Sequence, residues 1–280
     1  MDNQINLGQF VAAEIIILLV TAATEKLVSS LDTIYDTLTA VEKIGFVMDL
    51  PLEDEKGVDF EEIETSEGIK IDVNDLSYNF DNAEMPTLND ISFSIKPGEK
   101  VAIVGYSGAG KSTLIQILAG LYLNFRGSVN YNGFPLRNLN LTSLRARIGD
   151  HNLHEDVFRG TIADNICLRH ANVGMKEIIT ASERIGLDDY VRRLPQGYNT
   201  IILPEGRNMP RHVVRKIILA RAIASNPSLL AMEEMMSNLE QKDRIRIADL
   251  LTNDDEKWTL VAVTDDPILA ARCDRILVMK

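Results

Sequence analysis

Cysteine is scarce in this sequence. Cys167 and Cys273 are the two it has, far apart and in no metal-ligand spacing. Their scarcity excludes a disulfide framework and makes a reduced cytosolic setting the default. Histidine is as thin: His151 and His154 stand three apart, while His170 and His212 are distant, too few convergent ligands for a zinc site. Basic charge is short as well. Lys and Arg number 29 against 41 Asp and Glu, a formal net charge of −12, and no basic stripe appears, so nucleic acid is excluded as a partner. The first nine residues hold no Lys or Arg, so the apolar run behind them is not a secretory signal. Internal repeats and low-complexity tracts are lacking too.

The negative charge that is present is concentrated. Nine acidic residues and one lysine lie between Asp49 and Gly68, which reads as a solvated linker. Ahead of it, residues 7–49 read as one long helix or two collinear ones. Phe10 to Ala23 is apolar apart from Glu14 and Thr21, and about 14 residues is short for a bilayer span. Leu7 to Val28 makes a helix of roughly 33 Å, which is long enough, with Glu14 and Glu25 then facing protein or water. Composition leaves a partner-packed helix and a membrane helix equally open. Beyond it, Leu27, Leu31, Ile34, Leu38 and Val41 form an apolar seam that wants a partner helix, and Pro51 is expected to stop the helix.

From Ile69 the pattern becomes α/β. Strand-like runs fall near 69–80 and 90–96, at Val101–Val104, and at Ser128–Tyr131 before a turn at Asn132-Gly133. Residues 141–192 have helical periodicity. Leu229–Met232 and Leu260–Val263 read as buried strands.

Between one strand and one helix lies Gly105-Tyr106-Ser107-Gly108-Ala109-Gly110-Lys111-Ser112-Thr113, which fits the phosphate-binding pattern G-x-x-x-x-G-K-[ST] at every specified position. Glycines let backbone N–H groups converge on phosphate oxygens, and the helix N-terminus adds partial positive charge. Lys111 is expected at the β- and γ-phosphates and the Ser112 hydroxyl on Mg²⁺. The ligand class is a nucleoside triphosphate. Glu233 and Glu234 end the apolar run at 229–232, either as part of that site or as a solvated charge pair.

The order of these pieces resembles the ATP-binding domain of ATP-binding-cassette (ABC) transporters of the exporter type. Phe80 in Leu76-Ser77-Tyr78-Asn79-Phe80 stands where the family has an aromatic residue stacking on adenine, and Tyr78 matches a packed aromatic. Phe158-Arg159-Gly160-Thr161-Ile162, Leu194 to Thr200, Ala220-Arg221-Ala222 and Cys273 to Val278 carry the resemblance along the chain. Leu7 to Ala12 resembles the start of the last transmembrane helix of such exporters. The resemblance implies an α/β P-loop NTPase core of ABC type with a mixed sheet and a helical subdomain at about 150–210, preceded by a long N-terminal helix. It divides the chain into 1–49 (last transmembrane helix and its extension), 50–68 (acidic linker) and 69–280 (nucleotide-binding domain). It implies ATP and Mg²⁺ as cofactors, with Ser112 and Glu233 as metal ligands and Glu234 as general base. It also implies transmembrane helices supplied by another chain or missing segment, a homo- or heterodimer through the nucleotide-binding domain, and a place on the cytoplasmic face of the membrane.

Several positions depart from the family's pattern. Met209-Pro210-Arg211-His212-Val213 replaces the signature Leu-Ser-Gly-Gly-Gln, Leu153 replaces the lining glutamine, and Asp265 replaces the switch histidine. Ser237-Asn238-Leu239-Glu240 replaces Ser-Ala-Leu-Asp. The expectation is ATP binding with weak hydrolysis that powers transport. The alternative is a catalytically degenerate regulatory or structural subunit.

Overall fold

The computed structural model describes residues 6–50, 52–53, 56–63, 68–81, 85–151, 156–168 and 172–280. They form two units, Met1–Asp54 and Glu55–Lys280. The first is a single helix, α1 (Leu7–Met48), about 63 Å long at ~1.5 Å per residue. Asn6 starts it with a capping box: its side chain accepts from Gly8 N–H, and Gln9 accepts from the Asn6 N–H. Asp49 caps its end; Pro51, the expected stop, lies outside the described residues. No residue of α1 is buried. The hydroxyls of Thr21, Thr24, Ser30, Thr33, Thr37 and Thr39 each donate to the carbonyl four residues earlier, so these donors are satisfied within the helix.

In the second unit, β1 (Ile71–Tyr78) and β2 (Leu88–Ile95) pair antiparallel, and β3 (Lys100–Gly105) leads through the phosphate loop into α2 (Lys111–Leu118). Next, β4 (Arg126–Tyr131) turns at Asn132 and Gly133, both at positive φ, into β5 (Phe134–Pro135), as expected of an Asn-Gly hairpin. After α3 (Leu141–Arg145) and β6 (Ile148–His151) come β7 (Gly160–Thr161), α4 (Ile162–Cys167), α5 (Met175–Ile185), α6 (Asp188–Val191) and β8 (Ile201–Ile202). The chain continues with α7 (Arg211–Ala224), β9 (Leu229–Glu233), α8 (Gln241–Leu251), β10 (Thr259–Val263), α9 (Pro267–Ala270) and β11 (Arg275–Met279).

The expected mixed sheet is divided between an antiparallel sheet, β2-β1-β4-β5, and a parallel one, β11-β3-β10-β9-β6. They share one core: Ile71, Val73 and Leu88 from the first meet Val101, Ile103, Leu229 and Val261 from the second. A second core joins the parallel sheet to the helical region through α7, most of whose residues are buried. Both β9 and β10 are buried at every position, which explains their unbroken apolar runs. The carboxyl ends of the neighbouring strands β3, β10 and β9 lie at one edge, where open α/β sheets present their ligand crevice.

Two expectations need correction. The acidic segment 50–68 is not a wholly solvated linker. Phe60 is fully buried and Ile63 nearly so; the Phe60 N–H donates to Ser143 Oγ at 2.9 Å, and Val58 bridges to Leu139. Two apolar anchors thus dock residues 56–63 onto the domain. In the 141–192 stretch, β6 is a strand, placed by parallel pairing with β9. Burial also pushes the Cys273 thiol up to about 11, which keeps it protonated and inert at neutral pH.

Candidate nucleotide-binding site

The phosphate loop is shaped by Gly110. It caps α2 at φ 83°, and a Cβ there would stand 2.7 Å from the Thr87 carbonyl oxygen and 2.6 Å from Leu88 Cδ2. Only glycine fits this left-handed backbone against its neighbour. No side chain caps α2, so its first N–H groups remain available to an anion. Lys111 Nζ donates to the Gly105 and Tyr106 carbonyls at 2.7 and 2.9 Å, which folds the ammonium back across the loop. Tyr106 projects outward, 82% exposed. Thr113 is buried on the helix face turned to the core.

At the end of β9 the buried Glu233 carboxylate accepts from Ser112 Oγ. The two expected metal ligands are therefore side by side. A hydroxyl next to a carboxylate is the oxygen donor set that Mg²⁺ takes beside phosphate, so these residues fit the cation. Glu234 follows at φ 46°, exposed, its N–H donating to the Val263 carbonyl at 3.0 Å. Non-glycine residues held in the left-handed region gather at functional sites. Glu234 and Asp265 line one cavity of about 410 Å³. Its lining cation, Arg244, pairs with Asp266 at 2.5 Å, and Asp266 also caps α9.

The segment aligned with the signature opens α7. Pro210 is the N-cap and offers no side-chain hydrogen bond. Met209 and Arg211 line a separate cavity of about 520 Å³, together with Arg207, Arg215 and Asn238. Val213 is buried in the helical core, whereas Pro210 and Arg211 are exposed. Leu153 and His154 lie outside the described residues, as do residues 169–171, which include His170.

Phe80, past the end of β1, is 41% exposed. It meets Tyr78 edge-on at 5.0 Å between ring centroids, and Tyr122 edge-on at 5.8 Å. Burial raises the pKa of Tyr78, with Tyr122 and Asp81 contributing less, so its phenol stays protonated. Tyr122 was missed in reading the sequence: it lies beyond α2, and no local pattern ties it to Phe80.

Comparison with known proteins identifies this arrangement. Residues 88–237 match the profile of the family described as "ABC transporter". The chain belongs to the ABC transporter family. This ABC domain is 32% identical over 196 residues to ABC transporter B family member 29, chloroplastic, from Arabidopsis thaliana, covering 69% of this chain and 31% of that protein. It is 31% identical over 242 residues to the ATP-dependent lipid A-core flippase of Saccharophagus degradans, covering 86% and 41%. A bacterial Atm1-family ABC exporter solved with ATP bound shares its fold, with TM-score 0.77, 24% identity, and coverage of 89% of this chain and 43% of that one. The chain thus spans well under half the length of the relatives it matches, and the exporter-type ABC resemblance carried by its motifs is borne out.

Proposed function

We propose that this chain is the ATP-binding part of an exporter-type membrane transporter, in which ATP binding is retained and hydrolysis is weak. The observation that carries this reading is the built phosphate loop, with Ser112 and Glu233 in contact at the end of β9, next in sequence to Glu234, which shares a cavity lining with Asp265. Backbone N–H groups of the loop and Lys111 hold the phosphates, Ser112 and Glu233 hold Mg²⁺, and Phe80 stacks on adenine. Bound Mg²⁺ supplies charge neutralisation of the phosphates. Glu234 accepts a proton from water, but Asp265 sets a second negative group near developing negative charge, which raises the barrier. The same observation favours a second reading, in which ATP acts mainly as a ligand for dimerisation of a regulatory subunit. The test is calorimetric titration of Mg-ATP into the full chain in detergent. Affinity in the micromolar-to-millimolar range is expected, and Phe80→Ala should weaken it by about tenfold, since base stacking on an aromatic ring is worth ~1–3 kcal/mol. Unchanged affinity in Phe80→Ala would remove that residue from the site.

The first unit supports membrane attachment. The apolar helix α1 is long enough to cross a bilayer, and the hydroxyls of Thr21 and Thr24 in its apolar part are satisfied within the helix. Full chain is expected to co-float with liposomes, while a chain beginning at Glu55 stays in solution. Beginning at Ile69 instead removes Phe60 and Ile63 from the core and costs stability, by ~3–5 kcal/mol for loss of a buried phenylalanine alone. A full chain that is monomeric and monodisperse without detergent would rule the attachment out.

A further inference from the structure

Three aromatic rings from two stretches of chain meet beside the phosphate loop. Tyr78 ends β1, Phe80 follows it, and Tyr122 comes from the segment after α2. The Tyr78 and Tyr122 rings are parallel within 8° and 5.4 Å apart, an offset stack. Phe80 stands at 88° to both. Each contact is a favoured aromatic geometry, and together they hold the Phe80 ring in one orientation with part of its surface open.

Tyr122 is the member of the trio anchored to the phosphate loop. It follows the helix that the loop starts, and its approach is fixed at several points. Gly120 N–H donates to the Ile117 carbonyl and Leu121 N–H to the Gln116 carbonyl, each at 2.9 Å. The buried Tyr131 hydroxyl donates to the Leu118 carbonyl at 2.5 Å, and Arg145 donates to the Gly120 carbonyl at 2.5 Å. Tyr122 is therefore rigidly placed relative to Lys111, whereas Phe80 lies past the last residue of β1.

We infer that Tyr122 is a positioning residue that sets the Phe80 ring for the base and ties the base platform to the phosphate loop through α2. This rests on the reading of Phe80 as the adenine-stacking residue. Binding of a flat base to a ring held in place loses less rotamer freedom than binding to a ring that must be ordered at that moment. The hydroxyl of Tyr122 has no part in the argument; the ring does.

The test compares Mg-ATP with inorganic tripolyphosphate, which has the phosphates without the base, on the full chain in detergent. Variants are Tyr122→Ala, Tyr122→Phe, Phe80→Ala and the Phe80→Ala/Tyr122→Ala double. Tyr122→Ala is expected to weaken ATP by about three- to tenfold, the range of one aromatic pair, and to leave tripolyphosphate unchanged. Tyr122→Phe should restore ATP affinity, and the double variant should be no weaker than Phe80→Ala. Equal loss of both ligands in Tyr122→Ala would overturn the proposal, because it would show a disturbed phosphate loop. So would full additivity in the double variant, which would put Tyr122 on the base itself, or no loss of ATP at all. If Phe80→Ala alone leaves ATP binding intact, the adenine reading fails first, and this inference falls with it.

Discussion

Lys111→Ala is expected to lower Mg-ATP affinity by about a hundredfold or more. The ammonium is the one side-chain cation within the phosphate loop, held at its mouth by the Gly105 and Tyr106 carbonyls. A polyphosphate brings several negative charges to a place otherwise furnished with neutral N–H groups. Truncating one member of a desolvated charge pair costs ~2–5 kcal/mol, and each ~1.4 kcal/mol is a factor of ten. The domain itself should be undisturbed, because Lys111 is half-buried and its partners are loop carbonyls rather than core groups. Titration calorimetry of both proteins, with circular dichroism as the check on folding, measures the effect. Equal affinities would end the phosphate-loop assignment.

Writing the family's residues back at the positions that depart from its pattern is expected to raise phosphate release by at least ~10²-fold, since one stabilising group at a reacting centre is worth ~10²–10³ in rate. The rebuilt chain carries Leu153→Gln, Asp265→His, Met209→Leu, Pro210→Ser, Arg211→Gly and His212→Gly. The effects will not sum, because groups acting as a unit are not additive. Val213 is kept: it is 1% exposed inside the helical core, and a glutamine there would bury an amide with no assured partner. Pro210→Ser also gives α7 the side-chain cap it lacks. Glu234→Gln should change wild-type turnover little, since a base without charge stabilisation leaves most of the barrier standing. The same substitution should abolish turnover in the rebuilt chain. Wild-type release at the family's usual rate, lost in Glu234→Gln, would show that the present residues are catalytically competent.

The parts of this molecule legible in the sequence are those written locally. The phosphate loop, its strand and helix, the Asn132-Gly133 hairpin and the buried runs of β9 and β10 depend on neighbours in the chain, and each was readable there. The short strands β7 and β8 were not, because they exist only by pairing Gly160 with Ile202 and Thr161 with Ile201 across the helical region. Strand β6 hid inside a stretch with helical periodicity, for the same reason. Phe60 and Ile63 were masked by the acids around them: averaging charge over a segment erases two anchors that decide where it docks. Within the site, Ser112 and Glu233 stand in contact from 121 residues apart, and each belongs to a recognisable motif. Tyr122 belongs to none, and only the folded chain brings it to Phe80.

Helix α7 carries one more consequence. Past its exposed first residue it is bolted into the domain: Lys216 pairs with Asp243 at 2.8 Å, and Arg221 donates to the Asn165 carbonyl at 2.8 Å. Pro210, Arg211 and Asp265 sit at exposed ends of deeply packed elements. Selection for a folded domain is therefore nearly blind to Asp265, which caps no helix. It can drift, or be rewritten by an engineer, while measures of folding stay almost level, and a melting curve gives no warning that the chemistry has changed.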